Sequence, residues 1–339
     1  MTGAPEISVV ICTFNRLPLL RETVASCLQD ATRRGLPYEI VISDNSPSGH
    51  ARTFAAELAA TGAPVRWIHA SPPNISIARN VGLSTAQGSL IAFLDDDLVV
   101  EPGWLDYMHD AMQRSGADIV LGGLRPSFAA GRAPDWDPQG SRFTRRPDLV
   151  SGTPLKAGKG RPRGFVVSTA SSLWRRATCF TDAVPFDPGF GASGGEDLEL
   201  FLRLERRGRR FVWCKEAVVW EMIPPGRTEI HYQMMRAFSG GQAFVAATVG
   251  NVAGPGREAA IHMVRGTAQV LVNGALLLLN LPLLVLRPEN GRVRVVRHML
   301  DAASAAGKLF WWCKIPLYHV ERPAFAGASP EAGANAHPR

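Results

Sequence analysis

The chain has 339 residues, 46% of them hydrophobic and 20% charged, and its 37 Lys plus Arg against 30 Asp plus Glu leave a formal charge of +7. That balance excludes a disordered chain, a collagen-like repeat and a disulfide-stapled miniprotein, and the length supports one large α/β domain with an appendage, or two domains. The cysteines Cys12, Cys27, Cys179, Cys214 and Cys313 are scattered and never spaced C-x-x-C, which argues against a zinc ribbon or disulfide framework and fits a reducing compartment.

Ile7 to Thr13 (ISVVICT) is a near-continuous apolar run, as in a strand covered on both faces of a parallel sheet. No basic segment precedes it, so no signal peptide is expected and the body of the protein is expected in the cytosol. Residues 18 to 30 then carry Leu20, Val24, Cys27 and Leu28 at helical spacing. Tyr38 to Ser43 reads as a second strand ending at Asp44, residues 51 to 60 as a helix, and Val65 to His69 as a third strand. Residues 74 to 87 look helical in their second half, and Ser89 to Leu94 is a buried strand that stops at Asp95, Asp96 and Asp97. This alternation predicts βαβ units and a parallel sheet whose strands deliver polar residues at their carboxyl ends, where open α/β sheets bind ligands. A helix around Trp104 to Met112 and a strand Asp118 to Gly122 follow.

From Arg125 to Arg163 regular patterning fails and basic residues outnumber acidic ones, as in a lid or binding segment. It resumes at Phe165 to Thr169 and Ser172 to Arg175, then a Gly-rich turn, residues 189 to 195, opens an amphipathic helix from Glu196 to Arg207. Phe211 to Cys214 and Ala217 to Trp220 read as two short strands. After Pro224 and Pro225 the character turns helical, beginning with residues 228 to 247. The boundaries expected are therefore a catalytic domain over 1–225, a helical, membrane-associated region over 226–322 and a disordered tail over 323–339.

Between Arg265 and Arg287 no residue is charged, which is long enough to span a bilayer. Asn273, Gly274, Asn280 and Pro282 interrupt the run, and arginines flank both ends, so an interfacial or re-entrant segment is preferred, helped by Phe310, Trp311 and Trp312. A buried core helix is the alternative.

Three consecutive carboxylates after a buried strand repel one another unless a cation offsets them, and hard divalent ions suit them. Asp95 and Asp97, at i and i+2, point the same way on an extended chain; an acidic turn is the bland alternative. Asp44 can accept hydrogen bonds from a ribose or a base, or merely close an Asx turn. Arg79 is either a phosphate ligand or a solvated helix arginine. Arg227 and His231 lie in a segment able to close over phosphates or a metal, or form a surface helix. The arginine-rich excess alone suits phosphates, anionic lipids and nucleic acid equally. Gly191 to Gly195 satisfies G-x-S-x-G, but FDPGF before it is no strand, so no nucleophile elbow forms; Gly152 to Gly160 misses P-loop spacing.

The series SVVICTFNR, EIVISDNS, NISIARNVGL, GSLIAFLDDD and GGEDLELFLRL resembles the family 2 inverting glycosyltransferases of GT-A fold, over about residues 7 to 245. The later WEMIPPGRTEIHYQMMRAFSGGQ resembles the branch related to succinoglycan-type bacterial glucosyltransferases. The resemblance implies a mixed, mainly parallel sheet flanked by helices. It implies that Thr13, Asn15 and Asp44 hold the nucleotide with Arg79 beside it, and that Asp95 and Asp97, with Asp96 between them, form a D-x-D site for Mn²⁺ or Mg²⁺, Asp97 as direct ligand; His231, from the segment able to close over the metal, is a further candidate ligand. Asp197, with Glu196 as rival, would be the catalytic base. The expected reaction moves a sugar from a nucleotide-sugar, by default a UDP-sugar, to a saccharide or polyprenyl-diphosphate-linked acceptor at the inner membrane face, with no nucleic acid involved. A nucleotidyltransferase making a nucleotide-sugar and a non-catalytic membrane adaptor on the same fold are the competing readings.

Overall fold

The computed structural model describes residues 4–313 apart from 159, 161, 163, 164 and 166; the tail expected over 323–339 lies outside the described residues. The strands are Ile7–Thr13 (β1), Tyr38–Asp44 (β2), Val65–His69 (β3), Leu90–Asp95 (β4), Leu98–Val100 (β5), Ile119–Phe128 (β6), Pro154–Leu155 (β7), Ser172–Arg175 (β8) and Phe211–Ile223 (β9). They form one sheet in the order β3-β2-β1-β4-β8-β6-β9-β5, with β7 beside β9. The helices are Leu17–Asp30 (α1), Arg52–Ala60 (α2), Ile75–Thr85 (α3), Trp104–Ser115 (α4), Arg176–Cys179 (α5), Glu196–Arg206 (α6), Pro225–Thr228 (α7), Ile230–Gly250 (α8), Pro255–Asn280 (α9), Leu283–Leu286 (α10) and Pro288–Leu309 (α11).

The first four long strands run parallel because helices α1, α2 and α3 connect them, and successive side chains face opposite layers. Val9 and Ile11 pack with Leu20, Val24, Phe54 and Trp104 on one face. Val10 packs with Leu83, Phe93, Trp174 and Phe201 on the other, which is why β1, β2 and β4 are largely apolar on both faces. Their registers align Thr13 with Asp44, and Cys12 with Asp95, so the polar ends meet at one edge. Past β4 the sheet becomes mixed: β8 runs antiparallel to β4 and β6, and β9 antiparallel to β5. The two short strands expected over 211–220 are one strand, bent where the β6–β9 register shifts at Gly122/Gly123; exposed Lys215 and Glu216 sit in that bend. Residues 165 and 167–169 are irregular rather than a strand.

The chain turns helical at Pro225 as expected, but the helical region is packed against the sheet half. Trp136, Phe143 and Ile223 share an apolar cluster with Val296 and Leu300 of α11, and Phe190 packs on Ala246 and Ala247 of α8. Helices α9 and α11 form an antiparallel hairpin, marked by His298 Nδ1 at 3.1 Å from Asn273 Oδ1. Helices α8 and α11 cross with backbones almost touching: a Cβ added to Gly307 would lie 1.9 Å from the Phe238 carbonyl oxygen. Among the described residues, α9 is long and apolar enough to cross a membrane by length and composition, and only 11% of its apolar window is buried.

Candidate active site

The site is built at the carboxyl edge of β1 and β4 and closed by α6 and α7. The β1–α1 loop turns through Asn15, which is exposed with φ of 53°, a left-handed conformation that asparagine tolerates better than most residues. Beside it, the Thr13 hydroxyl donates to Asp96 Oδ2 at 2.8 Å and Arg16 Nη1 reaches Asp96 Oδ1 at 3.2 Å. The aspartates occupy the turn between β4 and β5. Asp96 and Asp97 are buried, whereas the Asp95 side chain is 45% exposed.

Opposite them, Gly194 and Gly195 have φ of 82° and 102°, a turn that L side chains rarely adopt, and they bring the first residues of α6 into the cleft. Arg79 of α3 ties the two halves together. Its guanidinium donates to Glu196 Oε1, lies 2.8 Å from Asp197 Oδ1 and 3.9 Å from Asp95 Oδ1. Asp197 Oδ2 also accepts from the Thr169 amide at 3.0 Å and its hydroxyl at 3.2 Å. The Asp197 side chain is 16% exposed and that of Glu196 7%, so Asp197 is the more open of the pair.

Electrostatics follow from this crowding. Burial works against the charge on Arg79, but Asp197, Glu196 and Asp95 outweigh it and hold the guanidinium above its ordinary value. Although the Asp95 side chain is 45% exposed, desolvation by the protein packed around it, opposed by Arg79 and reinforced by Asp97, Asp197 and Asp96, pushes it up to about 7. Burial also raises Glu196, against the pull of Arg79. At the outer side of the cleft, Arg227 Nη2 sits 3.0 Å from Asp97 Oδ2, and its Nη1 donates to Glu221 Oε1 at 2.8 Å.

Two expected contacts take a different form. Asp44 is fully buried: its Oδ1 accepts from the Ser46 amide at 3.0 Å and hydroxyl at 2.6 Å, and its Oδ2 from the Ala51 amide at 2.8 Å. Its carboxylate therefore closes the β2–α2 loop as an Asx turn. Arg79, expected beside the nucleotide, is 6% exposed and spends its donors on the acids of α6. His231 is exposed in the first turn of α8, and no three His, Cys, Asp or Glu side chains are grouped as metal ligands among the described residues. From that segment it is Arg227 of α7 that lies at contact distance from Asp97. The all-oxygen pair Asp95 and Asp97 nonetheless fits Mg²⁺ or Mn²⁺, which take one or two protein carboxylates and complete their shell with substrate phosphates.

Arg16, Arg145, Thr169 and Glu221 belong to the site without having been singled out. Arg145, in the irregular basic segment, bridges by its backbone to Leu124 and donates to the Gly122 and Ala170 carbonyls. Burial lowers it to about 10, while Asp95, Asp197 and Glu221 act to raise it. The excess of arginine between residues 125 and 163 was the only sequence signal for it.

A mainly parallel sheet continued by antiparallel strands, with acids gathered at the carboxyl edge, is the GT-A fold of nucleotide-sugar transferases. The S. aureus TarS fragment 1-349 in complex with UDP matches it with a TM-score of 0.50 at 13% identity, over 87% of this chain and 89% of that one, a likeness of fold. The model of Glycosyl transferase family 2 matches residues 8–176. The succinoglycan biosynthesis protein ExoM of Rhizobium meliloti is 31% identical over 239 residues, 70% of this chain and 73% of that protein. The glucosyl-dolichyl phosphate glucuronosyltransferase of Haloferax volcanii is 24% identical over 243 residues, 69% of this chain and 74% of that protein. The chain belongs to glycosyl transferase family 2 and is a glycosyltransferase.

Proposed function

We propose that the enzyme transfers a sugar from a UDP-sugar to a saccharide or polyprenyl-diphosphate-linked acceptor in cell-surface polysaccharide synthesis, inverting the anomeric carbon in a single displacement. The observation that carries this reading is the Arg79 bridge, which holds the Glu196–Asp197 pair against the Asp95–Asp97 turn across one cleft. Asp197, anchored by Thr169 and Arg79, takes the proton from the acceptor hydroxyl as that oxygen attacks. Asn15 and the chain edge after β1 face the donor. Mg²⁺ or Mn²⁺ held by Asp95 and Asp97 would supply charge neutralisation at the departing diphosphate. Glu196, nearly enclosed and bound to Arg79, orients the arginine.

The relatives' names support the polysaccharide and lipid-linked context. The α9–α10 surface supports a membrane-bound acceptor at the cytoplasmic face: Leu279, Val285 and Leu286 are each more than 70% exposed, between arginines that suit anionic head groups. The test is a donor screen with full-length protein, lipid-linked acceptor and product analysis by mass spectrometry and NMR. Sugar transfer with inversion is expected. Asp197→Asn should lower kcat by about 10² to 10⁴ while UDP affinity stays close to wild type; full turnover by that variant would remove Asp197 as the base.

A further inference from the structure

The cleft supplies its own counter-ions. Asp97 Oδ2 is held from two directions, by Arg227 Nη2 at 3.0 Å and by Arg16 Nη1 at 3.4 Å. Arg16 precedes α1 and also reaches Asp96, whereas Arg227 lies in α7 and also reaches Glu221. Neither arginine has any sequence proximity to the aspartates, so two distant segments converge on one carboxylate oxygen. The Asp97 side chain is only 6% exposed, which leaves little room for a third positive partner beside them.

A divalent ion at Asp97 must therefore compete with guanidinium groups already at contact distance, and like charges that close repel strongly in a partly desolvated site. A nucleotide arriving with the ion changes the balance. Its diphosphate offers pairs of charged oxygens that the planar guanidinium fork can bridge, so each guanidinium can leave the carboxylate for a phosphate without losing an anionic partner. Glu221, whose Oε1 accepts from Arg227 Nη1 at 2.8 Å, is a second carboxylate that guides Arg227.

We infer that Arg16 and Arg227 are resident counter-ions of Asp97 that pass to the donor diphosphate when cation and nucleotide bind, so that the two ligands bind cooperatively and the cation alone binds weakly. This rests on the reading of Asp97 as a metal carboxylate. The exchange links the ligands by the reciprocity that any coupling free energy obeys. It also makes Arg227, at the junction of the sheet with the C-terminal helices, the residue through which those helices meet the donor.

The test is calorimetry and Mn²⁺ paramagnetic resonance on the full chain with Mn²⁺ alone, UDP alone and both together, in wild type, Arg16→Ala, Arg227→Ala and Asp97→Asn. Arg16 is 43% exposed at its side chain, so its variant keeps the question open to measurement even where loss of Arg227 perturbs folding, which thermal melts report. In the arginine variants Mn²⁺ alone is expected to bind about three- to tenfold more tightly, and UDP in saturating Mn²⁺ to bind more weakly by a similar factor. Unchanged or weaker binding of Mn²⁺ alone in both arginine variants, alongside lost Mn²⁺ binding in Asp97→Asn, overturns the exchange and leaves the metal reading standing. Wild-type Mn²⁺ affinity in Asp97→Asn overturns the metal reading and the exchange together.

Discussion

The carboxyl edge of the sheet and the outer face of the α9–α11 hairpin treat their unfavourable groups in opposite ways. At the sheet edge, acids are crowded together, and arginines from the β1–α1 loop, α3 and α7 meet them at contact distance. On the hairpin, Leu279, Val285 and Leu286 stand in solvent with no covering element among the described residues. The first region is compensated from within, each acid meeting a guanidinium of the same chain. The second is uncompensated and gains by being covered.

The sharpest way to break the first half of that contrast is Arg79→Met. It leaves Glu196 and Asp197 enclosed without their guanidinium, and removing one partner of a buried ion pair typically costs about 3 to 5 kcal/mol. Urea denaturation should show that loss; a change below about 1 kcal/mol, the range of exposed ion pairs, would mean that water already stabilises the acids. The second half is tested by Leu279→Asp and Val285→Asp in flotation with anionic vesicles. Each removes an apolar side chain worth about 1.5 to 3 kcal/mol when buried, so partitioning should fall by about tenfold or more with transfer to a soluble acceptor unchanged. Equal flotation of both variants with wild type would place the bilayer elsewhere.

The smallest effect concerns Asp44, the enclosed acid that faces no cleft. Burial would raise its pKa, but the Ser46 hydroxyl and the Ala51 and Ser46 amides outweigh it, and the group is lowered. Its ionised form therefore adds stability that is fully present above the ordinary carboxylate value of about 4 and is lost as pH falls through the lowered one. The stability gap between wild type and Asp44→Asn should be constant near neutrality and shrink in acid. A gap independent of pH would show that the loop does not depend on the charge.

The same contrast explains what the sequence disclosed. Strands β1, β2 and β4 are short, largely apolar on both faces and bounded by polar residues, so a local pattern fixes both their type and the position of their ends. Strand β9 was read as two because Lys215 and Glu216 break the apolar run where the strand bends, and β5 is only three residues long. The carboxylates Asp95 to Asp97, Glu196 and Asp197 were legible as conspicuous acids at element ends. Their partners were not: Arg16 lies 80 residues from Asp96 and Arg79 117 from Glu196, and no local pattern records a pairing over that separation. The same holds for the contacts that Asp44 makes with Ser46 and Ala51 and Arg79 with Glu196 and Asp197, since a sequence does not reveal which way an enclosed polar group turns.

Between Arg132 and Arg145 one short stretch of chain answers to both regions. Asp135 and Arg142 are ion-paired with Arg292 and Asp301 of α11, Trp136 and Phe143 are wedged against the same helix, and Arg145 ends the stretch near the reacting acids. The stretch works as a tie rod. Any shift of the hairpin on its support pulls on the two salt links and the pair of aromatic rings, and through them on the positive charge that sits within electrostatic reach of Asp95 and Asp197.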